Sequence, residues 1–453
     1  MDGQKDREKK RQEALSIIQT LLKHGFEAWM VGGAARDMIL NSIPEDYDIT
    51  TNCPHAILRR LFNNRLVKTV GVQFQVSLVD GIEVSTYRRG SDLPRATAPT
   101  LFEDLSRRDL TINALAFNPI TGEHLDYFGG VDDLKAGLIR FTGDPEARIT
   151  EDPLRMVRAC RFKAAFNGRF HEGTTSALLR MNGLLPEKIA PERIRLEVLK
   201  AMKLKAPSLF FSALLESGLL PYIFPSLAAC VDVDGGPFHG ETVWEHALLT
   251  GDALSARDPL LRLAGYLHDV GKPFSVTIAD GRTSFAGHEE KGAEKAGVEL
   301  GLLKFSHLER EHVVNLIRHH MRDLSPASTR KAVRWFLKTL ADHDLRVSDW
   351  LRLKIADRRS NLKKENYSLS EIKRILSNIA QEISGSAQGG VFRLKDLAVN
   401  GYDVMAVTGL SPGKEVARVL EALLEAVIDQ PEMNTRDQLI GWIWKEACRQ
   451  KGE

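Results

Sequence analysis

The sequence predicts an α+β protein: a mixed α/β head followed by a remainder that is helical throughout. Two observations carry this. Short apolar runs broken by glycine turns are confined to the first part of the chain, where Trp29-Met30-Val31 and the run 81–89 read as strands around a carboxylate-bearing one. Beyond Thr142-Gly143 the apolar residues recur at helical spacing, with caps and breakers where helices should begin and end. A length of 453 residues suits about three domains with large buried cores.

The first strand ends at Val31, and Gly32-Gly33 follow at once. The chain turns there into a helix that carries Arg36 about one turn in. The next strand carries Asp46 and Asp48 at i and i+2, which places both carboxylates on one face. Such a pair is common by itself, since 60 acidic residues give about eight of them from composition alone. Its setting is what marks it. Two carboxylates beside a turn that exposes backbone N–H groups can hold Mg²⁺ against a triphosphate. The strand 81–89 adds Glu83 and Ser85 on one face, Glu83 being a candidate third carboxylate. The run 105–114 then combines Arg107, Arg108, Asp109 and Asn113.

EDPLRMVRACRF (151–162) reads as a helix. Pro153 fits an early helical position, where its missing N–H costs little, and Leu154, Val157 and Ala165 suit a buried side. Asp152 and Arg155 lie one turn apart and share a face. An acceptor and a forked donor together can read the Watson–Crick edge of a base, although a capping ion pair explains the same spacing.

The second half carries different chemistry. Trp244-Glu245-His246 begins a helix. The run 260–272 is an apolar helix ending at His268-Asp269 with a Gly-Lys turn after it, and His288, His319-His320 and Asp357 follow. Neutral imidazoles and carboxylates in such a set are good ligands for first-row divalent metals. His343-Asp344 repeats the dipeptide without the Gly-Lys turn and is expected to be a decoy. The stretch 231–237 reads as a linker and 384–390 as a break. Tail helices are expected around 395–405 and 414–428, with an N-cap at 434–438.

A net charge of +2 is no chain-wide polyanion signature, so any RNA surface must come from local asymmetry. The segment 302–374 is the candidate, with Arg318, Arg322, Arg330, Lys331, Arg334, Arg358, Arg359, Lys363 and Lys364. Cys53, Cys160, Cys230 and Cys448 have neither metal-type spacing nor a disulfide framework. No apolar run is long enough to span a membrane, and MDGQKDREKKRQ is unlike a secretory signal, so cytoplasm is expected.

VGGAARD, EDYDITT, SRRDLTINALAF, EDPLRMVRACRF and PERIRLE (191–197) resemble, in order and spacing over about the first 220 residues, the motifs of the class II tRNA nucleotidyltransferase and bacterial poly(A) polymerase family. The resemblance implies a polymerase-β-like catalytic head followed by helical neck, body and tail regions. It also implies template-independent transfer of CMP and AMP from CTP and ATP to a tRNA 3′ end. In that reading Asp46 and Asp48, with Glu83 a candidate third, are the ligands of two Mg²⁺ ions. Gly32 and Gly33 let the backbone approach the phosphates, and Arg36 pairs with one of them. Arg107, Arg108, Asp109 and Asn113 hold triphosphate and ribose. Asp152 and Arg155 act as a protein template for C or A, with Arg158 and Arg161 of the same helix also at the nucleotide. Glu192, Arg193 and Arg195 brace that helix.

The later order His, His-Asp, His, His, Asp resembles the HD phosphohydrolase domain. That implies a primary metal site of His246, His268, Asp269 and Asp357. His288 and one of His319 and His320 would be second-metal or phosphate ligands, and the ion would be Ni²⁺, Mn²⁺ or Co²⁺. Such a domain is linked to phosphatase, 2′-nucleotidase or 2′,3′-cyclic phosphodiesterase activity on RNA ends. The expected division is a head at 1–142, a helical neck and body at 143–230, an HD region at 231–365 and a tail at 366–453.

One stretch departs from the family. The segment 89–106, RGSDLPRATAPTLFEDLS, is shorter than the flexible loop of CCA-adding relatives and offers only Pro94-Arg95 in place of their basic patch. It resembles enzymes that add only the two cytidines and leave the A to a partner enzyme. Three readings therefore compete on one scaffold: CCA addition, CC addition and poly(A) synthesis. A phosphohydrolase whose head only docks RNA is a further class, and the intact Asp46/Asp48 pair speaks against it. The sequence leaves the oligomeric state open.

Overall fold

The computed structural model describes residues 2–44, 46–65, 67–70, 76–87, 99–279, 282–384 and 391–450. The described chain divides into two compact units, Met1–Ile223 and Phe224–Glu453.

The first unit is built on a seven-stranded mixed sheet. Its strands are β1 (Ala28–Val31), β2 (Asp48–Thr51), β3 (Val67–Val70), β4 (Val76–Val79), β5 (Ile82–Thr86), β6 (Leu115–Phe117) and β7 (His124–Asp126), in the order β3-β4-β5-β2-β1-β6-β7. Only β2 and β5 pair in parallel, and the other neighbours are antiparallel. Alternation along β1 sends Met30 and Val31 to opposite faces. Met30 joins Ile17, Ile18 and Leu21 of α1 (Asp2–Lys23) in one core, and Val31 joins Leu101 and Leu105 in another. Both faces of the central strands are thus buried, which is why β1 is apolar throughout.

The helices of this unit after α1 are α2 (Gly33–Ile39), α3 (His55–Leu61), α4 (Leu101–Ser106), α5 (Gly130–Lys135), α6 (Pro145–Glu151), α7 (Leu154–Phe166), α8 (Glu172–Met181), α9 (Leu184–Lys188), α10 (Pro191–Ala201), α11 (Ser208–Glu216) and α12 (Leu220–Ile223). The remainder is not wholly helical. A two-stranded parallel ribbon joins β8 (Leu138–Ile139) to β9 (Arg169–Phe170).

Three local expectations need correction. Asp46 is not on a strand: β2 begins at Asp48, whose partner Val31 is the last residue of β1 before the glycine turn, so no backbone is left to pair with Asp46. Residues 151–162 are not one helix. Asp152 is extended, at φ −154° and ψ 96°, and α7 starts only at Leu154, because the residue before a proline is driven out of the helical region. On α7 the buried stripe continues at Ala164, two turns beyond Val157, whereas Ala165 is turned about 100° further and is exposed.

The second unit runs through α13 (Pro225–Ala228), α14 (Val243–Ala253), α15 (Pro259–Leu267), α16 (His288–Leu302), α17 (His307–His319), α18 (Arg330–Asp342), α19 (Val347–Ser360), α20 (Leu369–Ser384), α21 (Gly401–Thr408), α22 (Lys414–Asp429) and α23 (Arg436–Gln450). A small hairpin pairs β10 (Thr277–Ala279) with β11 (Arg282–Ser284). Helices α14, α15, α17 and α19 pack on one another. The tail has its own core of Val404, Leu423, Val427, Leu439 and Ile443. The break expected at 384–390 lies, beyond Ser384, outside the described residues, as does Pro94-Arg95. Among the described residues no helix is long and apolar enough to cross a membrane.

Candidate active sites

The head site forms where β1 ends. Gly32 sits at φ 64° and ψ −127°, a conformation open to glycine, and caps α2. A Cβ at Gly32 would lie 3.1 Å from Arg108 Nη1 and 3.8 Å from Asp48 Oδ2, so the turn brings backbone, arginine and carboxylate together. At Gly33 the same atom would meet only Arg36, at an ordinary 3.5 Å. Glu83 is the register partner of Asp48 on the neighbouring parallel strand, so the two side chains leave the same face. Asp46 is exposed just ahead of them and accepts from Lys10 Nζ at 2.9 Å. Burial pushes the Asp48 carboxyl up and the Asp46 charge adds to that, while Arg108 pulls it down. A carboxylate placed so is stabilised by any cation delivered to it. Asp48 and Glu83 thus share one face beside the glycine turn, whereas Asp46 is turned to Lys10 and does not join them in a cluster close enough to share an ion.

Behind this face runs a buried polar network. Arg36 Nη1 donates to Asn113 Oδ1 at 2.9 Å, and Asn113 Nδ2 donates to Asp109 Oδ1 at 3.0 Å. Arg158 holds the other oxygen of Asp109 through Nε and Nη2, both at 2.7 Å. Burial alone would raise the Asp109 carboxyl, but Arg158, Asn113 and the Leu110 N–H hold it down at about 2. Arg158 and Arg161 both reach Glu197 of α10, at 3.7 and 2.5 Å. The Arg36 guanidinium lies 5.0 Å over the Phe166 ring and 5.8 Å over Phe162, and burial lowers its pKa. Asp109 is thus the hub of the arginines, with both oxygens engaged by protein.

Asp152 and Arg155 do not pair with each other. Asp152 receives Arg193 through two nitrogens at 3.0 and 2.7 Å. Arg155 donates to Glu151 at 2.7 Å and to the carbonyls of Arg148 and Arg107 at 3.0 and 2.8 Å. Arg107 and Arg148 also reach Glu151, at 3.7 and 2.9 Å. Sequence reasoning missed Glu151, Arg148 and Glu197. Both glutamates stand within quoted motifs, Glu151 opening one and Glu197 closing PERIRLE about one and a half turns after Pro191-Glu192, and only packing reveals that Glu197 faces α7. Glu192 is exposed.

In the second unit the predicted residues converge. His268 ends α15, and His320 directly follows α17. Thr242 caps α14 in a reciprocal capping box with Glu245, which puts His246 in the first turn. A Cβ at Gly271 would stand 1.9 Å from the His288 carbonyl, so glycine there lets the turn after His268-Asp269 seat against α16. His246 Nε2 lies 3.0 Å from Asp357 Oδ1 and 3.8 Å from Asp269 Oδ2, and His268 Nε2 lies 3.4 Å from Asp269 Oδ2. The other oxygen of Asp269 faces His288 Nε2 at 3.2 Å and His320 Nε2 at 3.5 Å. Asp269 is therefore a bridge between two nitrogen clusters.

His320, not His319, enters this centre. His319 lies instead against His343, with ring centroids 4.4 Å apart and the planes tilted by 44°, so the second His-Asp dipeptide stands outside the centre. Burial pushes His268 down to about 3, leaving a neutral imidazole whose buried Nε2 has no hydrogen-bond partner. His288 and His320 face each other Nε2 to Nε2 at 3.3 Å. Orphaned and opposed lone pairs beside carboxylates fit a divalent cation. Burial works against charge on His246 too, yet Asp357 and Glu241 push it up to about 9.

His239, Glu241, Lys272 and Asn361 also belong to this centre and were missed. Lys272 Nζ lies 2.7 Å from Asp269 Oδ2 and 3.5 Å from His239 Nε2. Asn361 Nδ2 lies 3.3 Å from His239. His239-x-Glu241 just before a helix cap was the available signal. The basic segment expected to meet RNA is largely committed within the fold: Arg318 to Glu290, Arg330 and Arg334 to Glu382, Lys331 to Asp429 and Arg358 to the Glu365 carbonyl.

Comparison with known proteins adds to this. Residues 28–140 match the poly A polymerase head domain, 169–231 match a domain described as the probable RNA and SrmB-binding site of polymerase A, and 239–362 match the HD domain. Poly(A) polymerase I of Salmonella typhi is 38% identical over 195 residues, 38% of this chain and 42% of that protein. The chain thus spans less than half the length of the first such relatives. A CCA-adding enzyme of Anoxybacillus flavithermus is 29% identical over 452 residues, 97% of this chain and 98% of that one. The fold resembles the crystal structure of the Bacillus stearothermophilus CCA-adding enzyme with CTP, with a TM-score of 0.69 and 23% identity over 97% of this chain and 98% of that one. In chain order, then, a stretch matching the poly A polymerase head domain is followed by one matching the polymerase A RNA-binding domain and one matching the HD domain, and the chain is similar both to bacterial poly(A) polymerases and to CCA-adding enzymes.

Proposed function

We propose that this chain adds CMP and AMP to the 3′ end of tRNA without a nucleic-acid template, and that its HD region hydrolyses phosphate esters at RNA ends. The convergence at Gly32 carries the first part: Asp48 and Arg108 approach the turn within 3.8 and 3.1 Å of a would-be Cβ, with Glu83 in register beside Asp48. Likeness to a CCA-adding enzyme over 97% of the chain, against 38% for the poly(A) polymerase, supports tRNA as the substrate. CCA-adding enzymes have been solved with CTP, with ATP and, from Thermotoga maritima, with tRNA.

In this mechanism Asp46 and Asp48, with Glu83 as a third candidate, hold Mg²⁺, which when bound neutralises the triphosphate and lowers the pKa of the RNA 3′-hydroxyl. The Gly32–Gly33 turn offers its N–H groups to phosphate oxygens. Arg108 supplies fixed positive charge, and the Asp109 hub keeps Arg36 and Arg158 from turning away. Asp152, between α6 and α7, and Arg155, in the first turn of α7, read the base. To do so they exchange Arg193 and Glu151 for the nucleobase edge, so Arg193 and Glu151 hold the template pair at rest. The HD centre holds a transition ion such as Ni²⁺, Mn²⁺ or Co²⁺ through His246, His268, Asp269 and Asp357, with His288 and His320 on the far side of Asp269. The division into head 1–142, neck and body 143–230, HD region 231–365 and tail 366–453, and a cytoplasmic place of action, belong to the same reading.

The test uses tRNA transcripts ending before C74, after C75 and after A76, each with single and mixed nucleotides. Addition of two C residues and one A, and nothing to a complete end, is expected. Long tracts of A on any RNA would instead make the chain a poly(A) polymerase, the reading favoured by the 38% identity over 195 residues.

A further inference from the structure

We propose that Glu241 is the orienting carboxylate of the histidine–aspartate centre: it keeps the ring hydrogen of His246 and His239 on Nδ1 and so turns His246 Nε2 toward a divalent cation. The proposal rests on the HD reading above.

The imidazoles of the centre all need their outer nitrogen anchored if the inner one is to face a cation. Three do this on the backbone. His268 Nδ1 lies 2.8 Å from the Gly265 carbonyl, His288 Nδ1 2.8 Å from Phe285 and His320 Nδ1 2.6 Å from Ile317, each three residues back. For His268 and His320 those carbonyls belong to helix C-termini, where intrahelical partners run out. For His288 the carbonyl precedes the helix. His246 has no such option. It stands in the first turn of α14, where the residue three back is Val243 at the helix start, and carbonyls there are committed to the helix.

Glu241 takes their place. Its Oε1 faces His239 Nδ1 at hydrogen-bond distance, 2.7 Å, and lies 2.9 Å from His246 Nδ1 but outside hydrogen-bond geometry, so a slight turn of the His246 ring completes that second bond. Its Oε2 accepts the N–H groups of Gly240 and Leu362, both at 3.0 Å, which tie the loop before α14 to the chain leaving α19. His239, Glu241 and His246 lie close enough together to hold an ion of their own. The commitment of Oε2 to two backbone donors argues against that and for an orienting role. An ionised carboxylate only accepts, so it keeps a hydrogen on each facing Nδ1. When a cation replaces the hydrogen that His246 Nε2 shares with Asp357, the hydrogen left on the ring is the one on Nδ1 facing Glu241, while His239 Nε2 is a lone pair aimed at Lys272. One buried carboxylate thereby sets both a ligand and the lysine that rests on the bridging Asp269.

The test loads the full chain, labelled with ¹⁵N-histidine, with Zn²⁺ as a diamagnetic probe, and follows imidazole nitrogen shifts and binding affinity without substrate. His246 should ligate through Nε2 and retain its Nδ1–H, and His268→Ala should abolish binding. Glu241→Gln keeps the length and one oxygen but offers an N–H where an acceptor is needed. It should weaken Zn²⁺ by about 10- to 100-fold. Ligation of His246 through Nδ1, or equal affinity in Glu241→Gln, overturns the proposal. The ligating nitrogen of the unaltered protein decides the matter even if the variant misfolds. Failure of the unaltered protein to bind Zn²⁺ is a distinct result that removes the HD reading together with this inference.

Discussion

At the scale of residues, neighbours in sequence separate by where their side chains can go. His319 and His320 are adjacent, yet one lies against the His343 ring and the other faces Asp269. We expect His320→Ala to abolish metal-dependent hydrolysis of a 2′,3′-cyclic phosphate, and His319→Ala and His343→Ala to retain it. Assays with added Ni²⁺, Mn²⁺ or Co²⁺ measure this, and loss of activity in His319→Ala with retention in His320→Ala would reverse the assignment. In the head, Asp46→Ala and Asp48→Ala should each lower CMP addition by at least about a hundredfold. Radiolabelled CTP incorporation checks this, and hydrolysis at the HD centre should persist in both, since the sites share no ligand.

At the scale of elements, buried charges lock helices together. Glu299 of α16 accepts the Ser226 N–H at 2.7 Å and its hydroxyl at 2.8 Å, joining α16 to the first turn of α13. Burial raises this carboxyl to about 7 from 4.5, against the pull of Ser226. A carboxyl raised in the fold stabilises it fully below the unfolded pKa, and that contribution is lost as pH climbs through 4.5 to about 7, a change of about 3 kcal/mol. Glu299→Gln should therefore melt higher than the unaltered protein at pH 8 and alike at pH 4.5. Thermal melts across that range check it, and an equal gap at both pH values would refute it. The Asp109 hub works with the opposite sign. Its carboxyl is held at about 2, so its contribution is present above 3.8 and lost as pH falls toward 2.

At the scale of the whole molecule, nucleotide choice is the open quantity. The segment 89–106 is short, and its end is not free: Thr100 and Glu103 form a capping box on α4, which occupies Leu101–Ser106. Little chain is left to act as a lever on Asp152 and Arg155, which are already engaged by Arg193 and Glu151. A mismatched hydrogen bond in a closed pocket costs about 1–3 kcal/mol, or about ten- to a hundredfold in rate. We expect kcat/KM for ATP on tRNA ending in CC to fall below that for CTP on tRNA ending in C by that margin. Equal values would show that the short segment does not restrict A addition. Asp152→Ala or Arg155→Ala should blur the choice among C, A and U.

What the sequence by itself determined was fold class, element order and a set of candidate residues. Gly32, Asp48, Glu83, Arg108, His246, His268, Asp269 and Asp357 are legible because each stands at a turn, strand or helix end whose local pattern is short-range. The α+β class follows from the same local periodicities. Tertiary structure decided which partners these residues meet. Asp46 left the strand because β1 had ended, and Asp152 left the helix because of Pro153. His320 was chosen over His319, Glu151 and Glu197 met Arg107 and Arg161 from far along the chain, and Glu241 joined His246 only once its other oxygen was held by Leu362 of a distant segment. Local sequence encodes backbone conformation and side-chain direction. A buried carboxylate finds its cation only when packing closes water out and leaves one partner within reach, and that selection is made by the whole fold.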